Sequence, residues 1–258
     1  PAMNIHRNPL CGRNFEYLSE DPVLTGKLAA AITRGVQSGD GCYATVKHFA
    51  CNNLEDNRNH SDSIVHERAL REIYLKGFEI CVREAQPKAL MTSYNLLNGV
   101  YTADSHDLCT AILRNEWGCD GMVITDNVLT QYVNGPDGVM AGVSIYDAMM
   151  SFVTDTLPKY KNDPVIVTAM REACHHNLYA IANSCGMNGV GANTTIKVTR
   201  PTVVTMSIII ACASTFFCLL GIVMWIIGGI KFRKTEEYKA YKDFKKAQKA
   251  AKKAQKAN

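Results

Sequence analysis

From Thr202 to Ile230 the chain carries no charged residue, and the run VVTMSIIIACASTFFCLLGIVMWIIGGI leaves little choice of structure. A helix needs about 20 apolar residues to cross the hydrocarbon of a bilayer, whereas buried helices of soluble cores seldom exceed about 14 without a polar position. The segment 202–230 therefore reads as a single membrane-spanning helix. Its place near the C-terminus excludes a cleaved signal peptide, which sits at the N-terminus.

The charges around this run are unevenly shared. Of 28 Lys and Arg, 11 follow Ile230, with 3 of the 24 Asp and Glu, so the tail 231–258 carries +8 and everything before it −4. Lys231, Arg233 and Lys234 follow the run directly, against Lys197 and Arg200 before it. The positive-inside rule then puts the tail in the cytoplasm and residues 1 to about 200 outside. The tail is Ala- and Lys-rich with good helix propensity. It is expected to be a solvated stop-transfer segment, with a helix resting on anionic headgroups as the alternative. No aromatic platform is interleaved with its lysines, so nucleic acid is not expected as a partner.

Before the span, 47% hydrophobic and 20% charged residues across the chain suffice to bury a core and exclude wholesale disorder. Helical and β-rich patterns alternate there. A helix is predicted over 24–37, a strand over 42–50, and a longer helix over 63–85 with Ile64, Leu70, Ile73, Tyr74, Phe78 and Val82 on one face. A strand over 90–94, a helix over 104–117 capped by Asp104 and a strand over 122–125 follow. Repeated βα units imply a parallel sheet, either an α/β barrel or a doubly wound sheet. Only three or four units can be counted, whereas a closed barrel has eight. With that shortfall, and no export signal ahead of an outward-facing part, the sequence is expected to be the C-terminal portion of a longer polypeptide. Ser184 to Thr199 loses apolar periodicity and gains Gly and Asn, as a linker would.

Polar residues gather where the predicted strands end: Lys47 and His48, Tyr94 and Asn95, Asp126 and Asn127. In a parallel α/β architecture these ends share one rim, the usual place for function. A carboxylate after the apolar strand VIT can serve as nucleophile or base, a Lys and a His can hydrogen-bond a hydroxylated substrate, and Arg13 can clamp it. Each also has an ordinary structural reading: Asp126 as a helix N-cap, Lys47 as a solvated strand end, His48 as a satisfied core histidine.

Five blocks decide between these readings. NIHRNPLCGRNFEYLSEDP (4–22), KHFACNN (47–53), ERALREIYLKGFE (67–79), MTSYNLLNG (91–99) and ILRNEWGCDGMVITD (112–126) closely resemble the catalytic barrel of glycoside hydrolase family 3, the β-glucosidase and related family, over most of residues 3–130. The resemblance implies a (β/α)8 TIM barrel, here partial and followed by the transmembrane helix, with 1–184 as barrel, 185–201 as linker, 202–230 as span and 231–258 as basic tail. It makes Asp126 the catalytic nucleophile of a retaining glycosidase and places Arg13, Lys47, His48 and Tyr94 around the sugar. The implied function is exo-acting hydrolysis of oligosaccharides or β-glycosides, without cofactor or metal. The alternatives are a non-catalytic, membrane-anchored carbohydrate-binding homologue and an inactive fragment lacking the acid/base domain.

Lys47 and His48 are adjacent, and neighbouring side chains on a regular strand point to opposite faces. For both to touch one sugar, the strand must lose its regularity there. Two departures from the family pattern matter as well. Asn127 stands where the family usually has an aromatic residue, most often Trp. No acid/base motif is recognisable after Asp126, although Asp137, Asp147 and Asp155 follow it.

The remaining features are weaker. Eight of the 10 Cys precede the span; they are read as disulfides or buried thiols, with Cys51 and Cys119 inside family blocks that favour the latter. His175 and His176 lack partners at ligand spacing, so no metal is expected. Asn193-Thr194-Thr195 matches a glycosylation acceptor.

Overall fold

The computed structural model describes residues 1–128, 132–148, 153–187, 191, 194–195, 197 and 201–255. Asn193 of the acceptor motif, Arg200 and much of the expected linker lie outside them. The chain divides into two compact units, Pro1–Ala192 and Asn193–Asn258.

In the first unit, α1 (Pro22–Gln37) starts where Asp21 caps it: its carboxylate accepts from the Leu24 N–H at 2.7 Å, and Pro22, lacking an N–H, stands at the first helical position. The strands are β1 (Thr45–Phe49), β2 (Asp62–Ser63), β3 (Ala89–Thr92), β4 (Leu96–Leu97), β5 (Val100–Tyr101) and β6 (Met122–Ile124). β1, β3 and β6 form a parallel sheet in that order. Val46, Leu90 and Val123 pair across it in register and are fully buried, a continuous apolar row of the kind parallel strands carry. Parallel bridges extend the sheet on both sides, Ala2 to Lys47 and Ile124 to Ile145, giving five parallel strand positions. β2, β4 and β5 make a second, small sheet.

The predicted 63–85 helix is assembled differently. A single helical turn, α2 (Glu67–Ala69), runs into a π-helical turn at Leu70–Tyr74 and then into α3 (Lys76–Ala85). The Leu75 N–H reaches back five residues to the Leu70 carbonyl at 2.8 Å. One extra residue per turn rotates the apolar stripe, so the buried apolar set is Leu70, Leu75, Phe78, Cys81, Val82 and Ala85. Ile73 turns outward and Ile64 lies before the helix, exposed, so neither joins the expected face.

α1 crosses α3 closely because the contact is made of small residues. Ala29 and Ala30 are fully buried, and a Cβ on Gly26 would lie 2.8 Å from Ile80 Cβ and 3.0 Å from the Gly77 carbonyl oxygen.

The helix after β5 also begins later than expected. It spans Asp107–Glu116 in π-helical winding, and the Ser105 hydroxyl accepts from the Leu108 N–H at 3.3 Å. Asp104 does not cap it. Its two oxygens face the Asn134 N–H at 3.3 Å, next to α4 (Gly135–Ala141). Asp104 closes a tight turn at Thr102–Asp104, which directs its side chain away from the following helix. α5 (Pro164–Ala182), capped by Asp163, is followed by a short helical turn at Cys185–Met187.

In the second unit, α6 (Thr202–Phe232) is a 31-residue helix with a mean hydropathy of 2.4 over its most apolar window, exposed along its length. At 1.5 Å per residue it is about 46 Å long. The Ser207 and Thr215 hydroxyls donate to the carbonyls four residues earlier, Val203 and Ala211, which satisfies them within the helix. α7 (Glu236–Gln255) follows.

Candidate active site

The rim where β1, β3 and β6 end is built from backbone outward. Asn4, 4% exposed, acts as a detached piece of strand. Its amide donates to the His48 carbonyl at 2.9 Å and its carbonyl oxygen accepts from the His48 N–H at 3.0 Å. Pairing between β1 and β3 shifts between Val46 and Phe49, and the Lys47–His48 and Phe49–Ala50 peptide bonds are cis. With regular pairing interrupted there, Lys47 Nζ lies 3.6 Å from Glu16 and His48 Nε2 lies 3.6 Å from Asp126.

Asp126 lies two residues past β6. Its Oδ1 accepts from the Asn127 N–H at 2.8 Å, and its Oδ2 is buried without a hydrogen-bond partner, 3.6 Å from His48 Nε2. The Tyr132 hydroxyl donates to the Asp126 carbonyl at 2.6 Å and holds the backbone in place. The Tyr94 hydroxyl donates to the Asn127 carbonyl at 2.7 Å, and its ring meets Tyr132 edge-on at 4.8 Å. Burial pushes the Asp126 carboxyl above the ordinary aspartate range, while the Asn127 N–H and the charges of Arg13 and Arg58 pull against that rise. Burial lowers the His48 imidazole to about 2, with Arg13, Lys47 and Arg58 acting in the same direction. His48 is therefore neutral, and its approach to Asp126 is not an ion pair.

The cations sit in a framework of carboxylates. Glu16 binds Arg13 through Oε1 and lies 3.6 Å from Lys47 Nζ through Oε2. Glu55 holds Arg58 at 2.6 Å and accepts from the Asn52 amide at 3.0 Å. The Arg58 guanidinium stacks over the Tyr94 ring, 4.4 Å from its centre. Arg13, Lys47, His48, Tyr94 and Asp126, all singled out in the sequence, are thus brought to one rim. Sequence reasoning missed Arg58, Glu16, Asn4 and Tyr132. Arg58 lies in CNNLEDNRNHSD, a loop with no periodicity; Tyr132 lies beyond the resembling blocks.

Six buried polar atoms at or just past these strand ends have no partner among the described residues: Asp126 Oδ2, His48 Nδ1, Thr92 Oγ1, Asn127 Oδ1, Asn95 Oδ1 and Asn52 Oδ1. Buried polar groups are nearly always paired, so such a cluster is suited to a polar ligand. Among the described residues no group of three or more His, Cys, Asp or Glu could hold a metal ion. Cys51, Cys81, Cys109 and Cys119 are buried free thiols.

Parallel βα units with a buried carboxylate and converging cations at the C-terminal strand ends define an α/β, TIM-barrel-like protein with its polar site on the rim. The family model described as glycosyl hydrolase family 3 N terminal domain matches residues 1–149, and the chain belongs to that family. Beta-glucosidase A of Butyrivibrio fibrisolvens is 61% identical over 126 residues, which make up 49% of this chain and 15% of that protein. Thermostable beta-glucosidase B of Acetivibrio thermocellus is 47% identical over 156 residues, 60% of this chain and 20% of that one. The solved structure of beta-glucosidase 3B from Thermotoga neapolitana in complex with glucose matches with a TM-score of 0.68 and 41% identity, covering 73% of this chain and 27% of its own. This chain therefore spans 15–27% of the length of these three relatives.

Proposed function

We propose that this chain carries the nucleophile and part of the sugar-binding subsite of a retaining, exo-acting β-glycosidase of β-glucosidase type. The observation that carries the reading is Asp126: a buried carboxylate with one oxygen fixed by the Asn127 N–H and the other unpartnered, ringed by Arg13, Arg58, a neutral His48 and Tyr94.

In this reading the unpartnered Oδ2 attacks the anomeric carbon of a terminal sugar, the aglycone leaves with the bond electrons, and water later hydrolyses the glycosyl ester. Lys47, His48 and Arg13 orient the sugar hydroxyls. Neutral His48 offers one N–H and one lone pair, and so satisfies a hydroxyl in either sense. Arg13 and Arg58 favour the ionised carboxylate needed for attack and oppose its burial penalty. Glu16 and Glu55 are engaged with cations, so neither is assigned as the acid/base group. That group, which retaining enzymes hold about 5.5 Å from the nucleophile, is assigned to no described residue of this chain.

α6 is proposed to span a bilayer, with Lys231, Arg233 and Lys234 on the cytoplasmic side and the first unit outside. The support is its length and apolarity and the excess of cations after it.

A second reading, a carbohydrate-binding homologue that does not turn over, is favoured by Asn127 in the usual aromatic position and by the engaged state of Glu16 and Glu55. One experiment separates the two without a general acid. The chain is incubated with an aryl β-glucoside that is fluorinated beside the anomeric carbon and has dinitrophenolate as leaving group. A glycosidase releases one equivalent of dinitrophenolate and gains one sugar on the peptide containing Asp126, read by mass spectrometry. A folded protein that binds the sugar and acquires no label is the binding homologue.

A further inference from the structure

α7 is two-faced in a way the glycosidase reading leaves unused. At 100° per residue, Lys239, Lys242, Lys245, Lys246 and Lys249 fall within an arc of about 120°. Ala240, Tyr241, Phe244 and Ala247 occupy the opposite arc of similar width, which Gln248 and, in the first turn, Glu237 share. Tyr241 and Phe244 are 52% and 65% exposed; the Lys245 ammonium lies over the Tyr241 ring at 5.2 Å where the two arcs meet, and no other element among the described residues covers the strip.

The junction with α6 bears on what covers it. Three residues separate α6 from α7, and the turn between them is ordered: the Lys234 N–H donates to the Lys231 carbonyl at 3.1 Å and the Thr235 N–H to the Phe232 carbonyl at 3.0 Å. Thr235 Oγ1 then accepts from the Tyr238 N–H at 3.3 Å at the start of α7. The Phe232 and Tyr238 rings meet edge-on, 5.6 Å apart, across the turn. α7 thus begins at the basic end of the apolar α6, with Tyr238 on its lysine-bearing side and the Tyr241–Phe244 strip starting one turn later.

We propose that α7 is an interfacial helix that lies on the anionic leaflet beside α6, its Tyr241–Phe244 strip in the headgroup–acyl boundary and its lysines against lipid phosphates and carboxylates. The proposal rests on α6 spanning the bilayer and is independent of the glycosidase reading. A lysine-rich polar face opposite an aromatic strip is the composition that binds an anionic lipid surface, and α6 delivers that surface to the first turn of α7. A solvated tail explains the lysines but leaves Tyr241 and Phe244 in water on one side of a helix. A nucleic-acid partner explains the lysines equally but not their position next to a span.

The test uses the full chain in lipid nanodiscs, one set of phosphatidylcholine and one with about 30 mol% phosphatidylserine. Co-elution with the neutral discs reads α6 alone, and its failure overturns the span and with it the proposal that rests on it. Chymotryptic cleavage after Tyr241 and Phe244, followed by mass spectrometry, reads α7. Cleavage is expected to be roughly tenfold slower in the anionic discs than in the neutral ones, and the difference should shrink as salt rises. The quadruple variant Lys242→Gln, Lys245→Gln, Lys246→Gln and Lys249→Gln keeps both cleavage sites, still co-elutes, and should lose the protection. Equal cleavage in both discs, protection that survives the four substitutions, or equal protection by polyuridylate in neutral discs would each overturn the proposal.

Discussion

His48 Nε2 stands 3.6 Å from Asp126 Oδ2, yet the contact is one between a neutral ring and a carboxylate, because burial beside Arg13, Lys47 and Arg58 keeps the imidazole unprotonated. Neutrality leaves Asp126 uncompensated on that side and free to act on a ligand. It also leaves His48 Nδ1, like Asp126 Oδ2, without a partner among the described residues.

If Asp126 is the nucleophile, Asp126→Ala should lower the rate of dinitrophenolate release from the activated fluoroglucoside by roughly 10³-fold or more, the scale of loss seen when a nucleophile is removed. Azide added to the variant should restore release by entering the space the carboxylate leaves and attacking from the same face. Product analysis should find the α-glycosyl azide. Recovery of the β-azide would exclude Asp126 as the group replaced.

Arg58 opposes the burial-driven rise of the Asp126 carboxyl. Attack needs the ionised form, so the labelling rate falls as pH drops through the Asp126 pKa. Arg58→Gln removes a cation, raises that pKa further and should move the acid limb of the pH–rate profile to higher pH. The maximal rate should also drop by about tenfold to a hundredfold as a cation that favours the attacking carboxylate is lost. An unchanged acid limb would show that Arg58 acts on Asp126 negligibly.

The same burial makes His48 a pH-dependent term in stability. Its folded pKa, about 2, is far below the unfolded value of 6.5, so the unfolded chain takes up the proton first as the solution is acidified. The contribution is complete above about pH 6.5 and declines as pH falls toward the folded value, by on the order of 1 kcal/mol per pH unit. Calorimetric unfolding of His48→Gln between pH 6 and pH 4 should show a weaker pH dependence than the parent. Parallel curves would place His48 in a wetter setting than the structure gives.

Asp104 has the opposite sign. Burial raises its carboxyl to about 7 from 3.8, with Asp137 adding to the rise, so stability is present below about pH 3.8 and declines toward pH 7. Asp104→Asn should gain on the parent as pH rises through that window, by about 2–4 °C in Tm at neutrality. A gain that does not vary with pH would trace to something other than the proton.

Gly26 permits the α1–α3 crossing, and Gly26→Ala puts a methyl 2.8 Å from Ile80 Cβ and 3.0 Å from the Gly77 carbonyl oxygen. The alanine gains helix propensity, but overpacking against backbone should outweigh it, for a net loss of about 1–2 kcal/mol in chemical denaturation. A stabilised variant would mean that the two helices separate at little cost.

Sequence patterns carried the elements whose information is local. The uncharged run at 202–230 left a helix as the only regular structure, and α6 extends it by two residues to Phe232. The helix predicted over 24–37 is α1, which begins two residues earlier, at Pro22, after the Asp21 cap. The resembling blocks named Arg13, Lys47, His48, Tyr94 and Asp126, and all five meet at one rim. Patterns read at one fixed helical period failed at Leu70–Tyr74, because a π-turn adds a residue that periodicity cannot anticipate, which buries Leu75 and turns out Ile73. Arg58, Glu16 and Asn4 were invisible for a different reason. Their roles arise from pairings across the fold, Arg58 on Tyr94 and Asn4 on the His48 backbone, 44 residues away in sequence. The charge of Asp126 and the neutrality of His48 likewise depend on burial and on which cations converge, and only the packed chain sets these, because desolvation and Coulomb energies follow distance in space.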